Sequence, residues 1–113
     1  MIIAVISDSH VADPVAGTDD QSLAWHRVSW QALTAAVEHV NTVIRPDVTL
    51  MAGDVIDLGS GPDAVAHLTR SKSILDTLNS PALCIPGNHD QPSATFFTVF
   101  PKLPDWVDVN RVR

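Results

Sequence analysis

Three polar clusters hold the residues of this chain best suited to chemistry. Asp8 and His10 stand two residues apart, Asp54 follows Gly53, and Asn88, His89 and Asp90 follow Gly87. Two residues so spaced as they leave a strand can point to one side, so Asp8 and His10 offer a carboxylate oxygen and an imidazole nitrogen to one cation. Asp54 has two oxygens and can bridge two cations, and Gly53 lets the backbone turn tightly beside it. Asn88 adds a neutral carbonyl oxygen. Mixed oxygen and nitrogen donors suit Mn²⁺, Fe or Zn²⁺ better than Ca²⁺, which prefers oxygens alone. Taken singly, each cluster is also how an ordinary helix cap or polar turn reads. Together they make a site if the fold brings them into one place.

The elements between the clusters predict that it does. Ile2 to Ile6 is a short apolar run, the pattern of a strand buried on both faces. Thr18, Asp19 and Asp20 offer N-caps, and apolar residues then recur at helical spacing from Trp25 through Leu33, Val37 and Val40 to Ile44, where Pro46 ends the pattern. Val48 to Ala52 is a second strand, ending at Gly53-Asp54. After Gly59-Ser60-Gly61, Pro62 opens a second helix whose inner face is Ala64, Leu68, Ser71, Leu75 and Leu78. Leu83-Cys84-Ile85 is a third strand. Pro92 and Ser93 start a short helix carrying Phe96, Phe97 and Phe100, and Val107, Val109 and Val112 alternate as a further strand would. The order βαβαβ implies an α/β fold with a parallel sheet and right-handed crossovers. In a parallel sheet the strand carboxyl ends share one edge. Asp8, His10, Asp54, Asn88 and His89 therefore converge.

Composition narrows the rest. The chain has 113 residues and a formal charge of −6, with Glu38 its sole glutamate. Nearly all the acid is thus short-armed Asp, and an acidic surface argues against a basic nucleic-acid-binding face. Hydrophobic residues make up 45%, enough for a core. No run is long enough to span a membrane, and Met1 to Ile6 lacks the basic start of a secretory signal; the cytoplasm is the expected compartment. Cys84 is alone, so no intrachain disulfide forms, and its apolar setting reads as a small buried hydrophobe. His39 and His67 read as helix-flank residues and the tryptophans as packing. His26 falls near the start of the first helix, at the same sheet edge as the clusters.

Ile6-Ser7-Asp8-Ser9-His10, Gly53-Asp54-Val55-Ile56-Asp57 and Gly87-Asn88-His89-Asp90 resemble the first three signature motifs of the calcineurin-like metallophosphoesterases. Their spacing is most similar to the branch of class III cyclic-nucleotide phosphodiesterases and glycerophosphodiesterases. The resemblance implies hydrolysis of a small phosphodiester by two divalent ions (Mn²⁺, Fe or Zn²⁺) that activate a shared water. It implies Asp8 and His10 as ligands of the first metal, Asp54 as the bridge and Asn88 as a ligand of the second. His89 would touch the phosphate, with Asp90 as the acid beside it, and Asp57 would lend support.

The family pattern continues with a further histidine and a Gly-His-x-His motif, whereas no histidine follows His89. Residues 1–113 are therefore expected to be the amino-terminal half of a four-layer α/β/β/α sandwich. One sheet face would then be open to self-association. The competing expectation is a non-catalytic half-domain that binds metal or a partner. A nucleotide-binding α/β domain would need a glycine-rich loop after the first strand, and Ser7-Asp8-Ser9-His10 is not one.

Overall fold

The computed structural model describes residues 1–14 and 25–104. The predicted caps at Thr18, Asp19 and Asp20, the predicted strand through Val107 to Val112, and Trp106 lie outside the described residues. The order is β1 (Ile3–Ile6), α1 (Ser29–His39), a π-helical turn (Val40–Ile44), β2 (Val48–Ala52), α2 (Ala64–Leu75), β3 (Ala82–Ile85) and α3 (Ser93–Val99). The strands form one parallel sheet in the order β1-β2-β3. The α/β reading of the sequence holds.

Two boundaries differ from the sequence expectation for local reasons. The first helical stretch is not continuous. Trp25 to Arg27 make a 3₁₀ turn, the α-helix starts at Ser29, and its end widens into the π turn. The Arg45 amide donates to the Val40 carbonyl, five residues back, and Arg45 takes a left-handed conformation (φ 48°). Pro46 disfavours a right-handed helical residue before it, so the helix must leave its track there. Helix α2 stops at Leu75, short of Leu78.

Sequential strand order with crossovers of one hand places both crossover helices on one sheet face. The strand alternation confirms it. Ala4, Thr49, Met51 and Cys84 are buried beneath the helices. Their neighbours point the other way: Ile3 is 53% exposed, Val5 61% and Ile85 45%. The apolar run of β1 thus supplies a covered face and an open one: its local reading as buried on both faces is corrected, while the expectation of one open sheet face holds. On the covered side Leu33 and Val37 of α1, Leu68 and Leu75 of α2, and Phe96 of α3 close over Met51. Among the described residues, no helix is long and apolar enough to cross a membrane.

Cys84 sits in this core, and burial pushes its thiol from 9.0 to about 11, with Asp76 adding to the shift and Lys72 opposing it. The folded chain therefore holds that proton more tightly than the unfolded chain. The stability this represents is intact below pH 9.0 and falls as pH rises toward about 11. At neutral pH the native thiol should resist alkylation by iodoacetamide and react quickly once denatured, as mass spectrometry of the two states would read; equal rates would contradict the burial.

Candidate metal centre

Past their last residues the first two strands keep running side by side. The Asp8 amide donates to the Gly53 carbonyl (3.1 Å), His10 to Asp54 (3.0 Å) and Val11 to Val55 (3.1 Å), and the Asp57 amide returns to Val11 (3.2 Å). The Ser9 hydroxyl adds a bond to the Val55 carbonyl. The third loop joins through the Gly59 amide, which donates to the His89 carbonyl at 2.7 Å. Its approach needs glycine on both sides. A Cβ on Gly53 would stand 2.9 Å from the Gly87 Cα, and one on Gly87 would collide with the Asp54 carboxylate.

The backbone of this edge is unusual where the expected ligands stand. Asp8 (φ 56°), His10 (φ 41°) and Asp54 (φ 51°) all adopt left-handed conformations, as does Gly53 (φ 90°). Such conformations cost energy in non-glycine residues and gather at functional sites. Here they bring three side chains close to one another. The His10 Nε2 lies 3.7 Å from Asp8 Oδ1 and 3.6 Å from Asp54 Oδ2. The His10 and His89 rings meet edge to face, 4.4 Å between centroids. One ligand atom each from His10, Asp54 and His89 fall within 4.8 Å of one another. Asp8, His10, Asp54 and His89 thus come together as the sequence predicts. Asn88 is exposed at the rim, where it shares an open cleft of about 760 Å³ with Asp57, Leu58, His89 and Gln91.

His89 is fixed from two sides. Its amide donates to Asp54 Oδ1 (2.8 Å), and its Nδ1 lies 2.7 Å from the Asp57 carbonyl. A carbonyl only accepts, so Nδ1 carries the proton in this bond and Nε2 is left for chemistry. That backbone bond raises the imidazole pKa, burial partly opposes it, and the carboxylates of Asp54, Asp57 and Asp90 add to the rise. An imidazole so placed keeps a proton to give nearer to neutral pH.

Asp90, the acid expected beside His89, has its carboxylate engaged by backbone amides. It is fully buried. Its Oδ2 accepts from the Val55 and Gly87 amides (3.1 and 2.8 Å) and its Oδ1 from Ile56 (2.9 Å). The carboxylate clamps the second loop to the third from below.

Three residues do more than the sequence suggests. Trp25, read as packing, donates its indole N–H to the Ser9 carbonyl at 2.8 Å, between the two ligands of the first loop. Trp30 does pack in the core, yet its indole also donates to Asp13 (3.0 Å), and Asp13 in turn meets His67 at 3.2 Å. Asp57 touches both site histidines and His26. No local signal in the sequence marks these contacts, because every one joins separate segments of the chain.

The donor set fits a divalent cation. Carboxylates crowded with imidazoles at an edge that strain holds in place are stabilised by positive charge between them. The calcineurin-like phosphoesterase family model matches residues 1–112. No curated protein matches the chain. With the motifs, the parallel sheet and the converging donors all in place, the match over nearly the whole sequence settles the matter: the chain belongs to the calcineurin-like phosphoesterases, a family of metal-dependent phosphoester hydrolases.

Proposed function

We propose that the chain serves phosphodiester hydrolysis, with Asp8, His10, Asp54 and Asn88 holding two divalent ions. The observation that supports this most is the placement of Asp54: His10 lies against one carboxylate oxygen and the His89 amide against the other. Mn²⁺, Fe and Zn²⁺ all suit the donors. Bound there, such ions supply Lewis acidity toward the phosphoryl oxygens and a water made acidic enough to react near neutral pH. His89 is the residue that meets the phosphate: its Nδ1 proton is committed to the Asp57 carbonyl, and in the charged form of the ring the second proton, on Nε2, is the one to donate to a phosphoryl oxygen or pass to the departing one. Asp90 acts as a positioning residue.

The substrate is read as a small diester, such as a cyclic nucleotide or a glycerophosphodiester. The open cleft beside His89 joins the apolar Leu58 and Pro92 to the neutral polar Ser60 and Gln91, with the acidic Asp57 also on its wall. This suits an uncharged organic group on the far side of the phosphate. The cytoplasm is the compartment we assign, in keeping with a buried, unpaired Cys84.

A second reading is favoured by the open sheet face of Ile3, Val5 and Ile85: a non-catalytic module that holds metal and docks a partner, or a second copy, through that face. Turnover separates the two. With Mn²⁺ supplied, the chain should hydrolyse a chromogenic phosphodiester faster than the matching monoester, and Asp54→Asn should remove the activity. A preference for the monoester would overturn the substrate class, and equal background from both proteins would favour the second reading.

A further inference from the structure

His26 lies in the 3₁₀ turn before α1, yet its side chain reaches the strand-end loops. It is 8% exposed. Its Nε2 is 3.0 Å from Asp57 Oδ2, and its Nδ1 is buried with no hydrogen-bond partner among the described residues. A carboxylate accepts, so Nε2 carries the proton, and whichever form the ring takes, Nδ1 has no partner among the described residues. Buried polar atoms are nearly always paired. A leucine would fill the same space without that penalty, so packing alone does not explain a histidine here.

The other end of Asp57 does. Its Oδ1 lies 3.4 Å from His10 Nδ1, while the opposite nitrogen of His10 faces Asp8 and Asp54. The Asp57 main chain is already anchored, its amide to the Val11 carbonyl and its own carbonyl to His89. What remains free is rotation of the carboxylate, and His26 stops it. His26 is itself held: the Ser29 hydroxyl reaches the carbonyls of His26 and Ala12 and accepts the Ala12 amide.

We propose that His26 is a positioning residue for the metal centre: by gripping Oδ2 of Asp57 it aims Oδ1 at His10 Nδ1, keeps the His10 proton there, and leaves Nε2 as a lone pair facing the ligand cluster. The competing state is concrete. With no metal bound, the carboxylates of Asp8 and Asp54 would draw the proton to Nε2, the nitrogen a cation needs bare. A carboxylate behind a ligating imidazole fixes the tautomer and strengthens the ligand. Here a second histidine fixes the carboxylate.

The inference rests on the metal reading above, but its first test needs no metal. The parent chain, His26→Leu and His26→Gln would be labelled with ¹⁵N and stripped of metal. The His10 tautomer would be read from long-range ¹H–¹⁵N correlations at about pH 8, above the ordinary histidine range. The parent should carry its proton on Nδ1. His26→Leu should shift it toward Nε2, and His26→Gln, whose amide can still donate to Asp57, should restore the parent pattern. Mn²⁺ affinity should fall roughly tenfold in the Leu variant and recover in the Gln variant, with the metal-free melting temperature of the Leu variant unchanged or higher. An unaltered His10 tautomer in His26→Leu would overturn the proposal. So would equal losses in both variants that follow the metal-free melting temperature, which would mark His26 as structural only. If the parent took up no Mn²⁺, the metal reading would fail, while the tautomer comparison would still decide the role of His26.

Discussion

Asp90→Ala is expected to lower the stability of the metal-free chain by ~4 kcal/mol, because two fully buried amides lose a charged acceptor at once. Val55 and Ile56 are both inaccessible to solvent, and their N–H groups point at the Asp90 carboxylate. Without it, water cannot take its place unless the two loops separate. The Gly87 amide loses its partner too, so the third loop comes away from the second. A domain of this size is stable by only about 5–15 kcal/mol, so the loss is a large share of the total. The melting temperature should drop by at least about 10 °C. Asp90→Asn should fall between the two, since one oxygen remains to accept while the amide group opposes an N–H. A melting temperature for Asp90→Ala within a few degrees of the parent, about 3 °C, would contradict the clamp. Asp90 closes the Gly-Asn-His-Asp motif, but its effect on chemistry would then follow its effect on the fold.

Asp54→Asn should do the reverse, leaving the fold intact and removing the metal. Asparagine keeps an oxygen where the His89 amide donates, so the loop contact survives. It removes one negative charge from a group that also contains Asp8, and in the metal-free state that relieves repulsion. The metal-free melting temperature should therefore stay level or rise. On the metal reading proposed above, the same charge would draw a cation and its two oxygens would bridge two. Affinity for Mn²⁺ should fall on the order of 100-fold, or ~2.7 kcal/mol. Stability gained where function is lost is the usual mark of a residue kept for its chemistry.

Much of this site was readable from the chain alone. Each strand stops abruptly at a polar cluster, and a parallel sheet lines up strand ends whatever the loops do, so the meeting of Asp8, His10, Asp54 and His89 followed from periodicity. Contacts that depend on side-chain rotation between loops were not readable. His26 and Asp57 are 31 residues apart, and nothing near either names the other. The left-handed backbone at Asp8, His10 and Asp54 is equally silent in sequence, since only Gly53 announces a turn of that kind. The buried hydrogen bonds of Asp90 were silent for a related reason: a motif records which residue is present, not which amides its carboxylate meets. The open sheet face was expected from the absent Gly-His-x-His motif, not from β1 itself, because an apolar strand of four or five residues reads alike whether one side is covered or both.

A calorimetric titration of Mn²⁺ into metal-free chain, run beside Asp54→Asn in one buffer, puts the metal centre to its most direct test. Saturable uptake by the parent, weakened on the order of 100-fold in the variant while both melt at similar temperatures without metal, is the predicted result. Superimposable titrations, or no uptake by the parent, would contradict it.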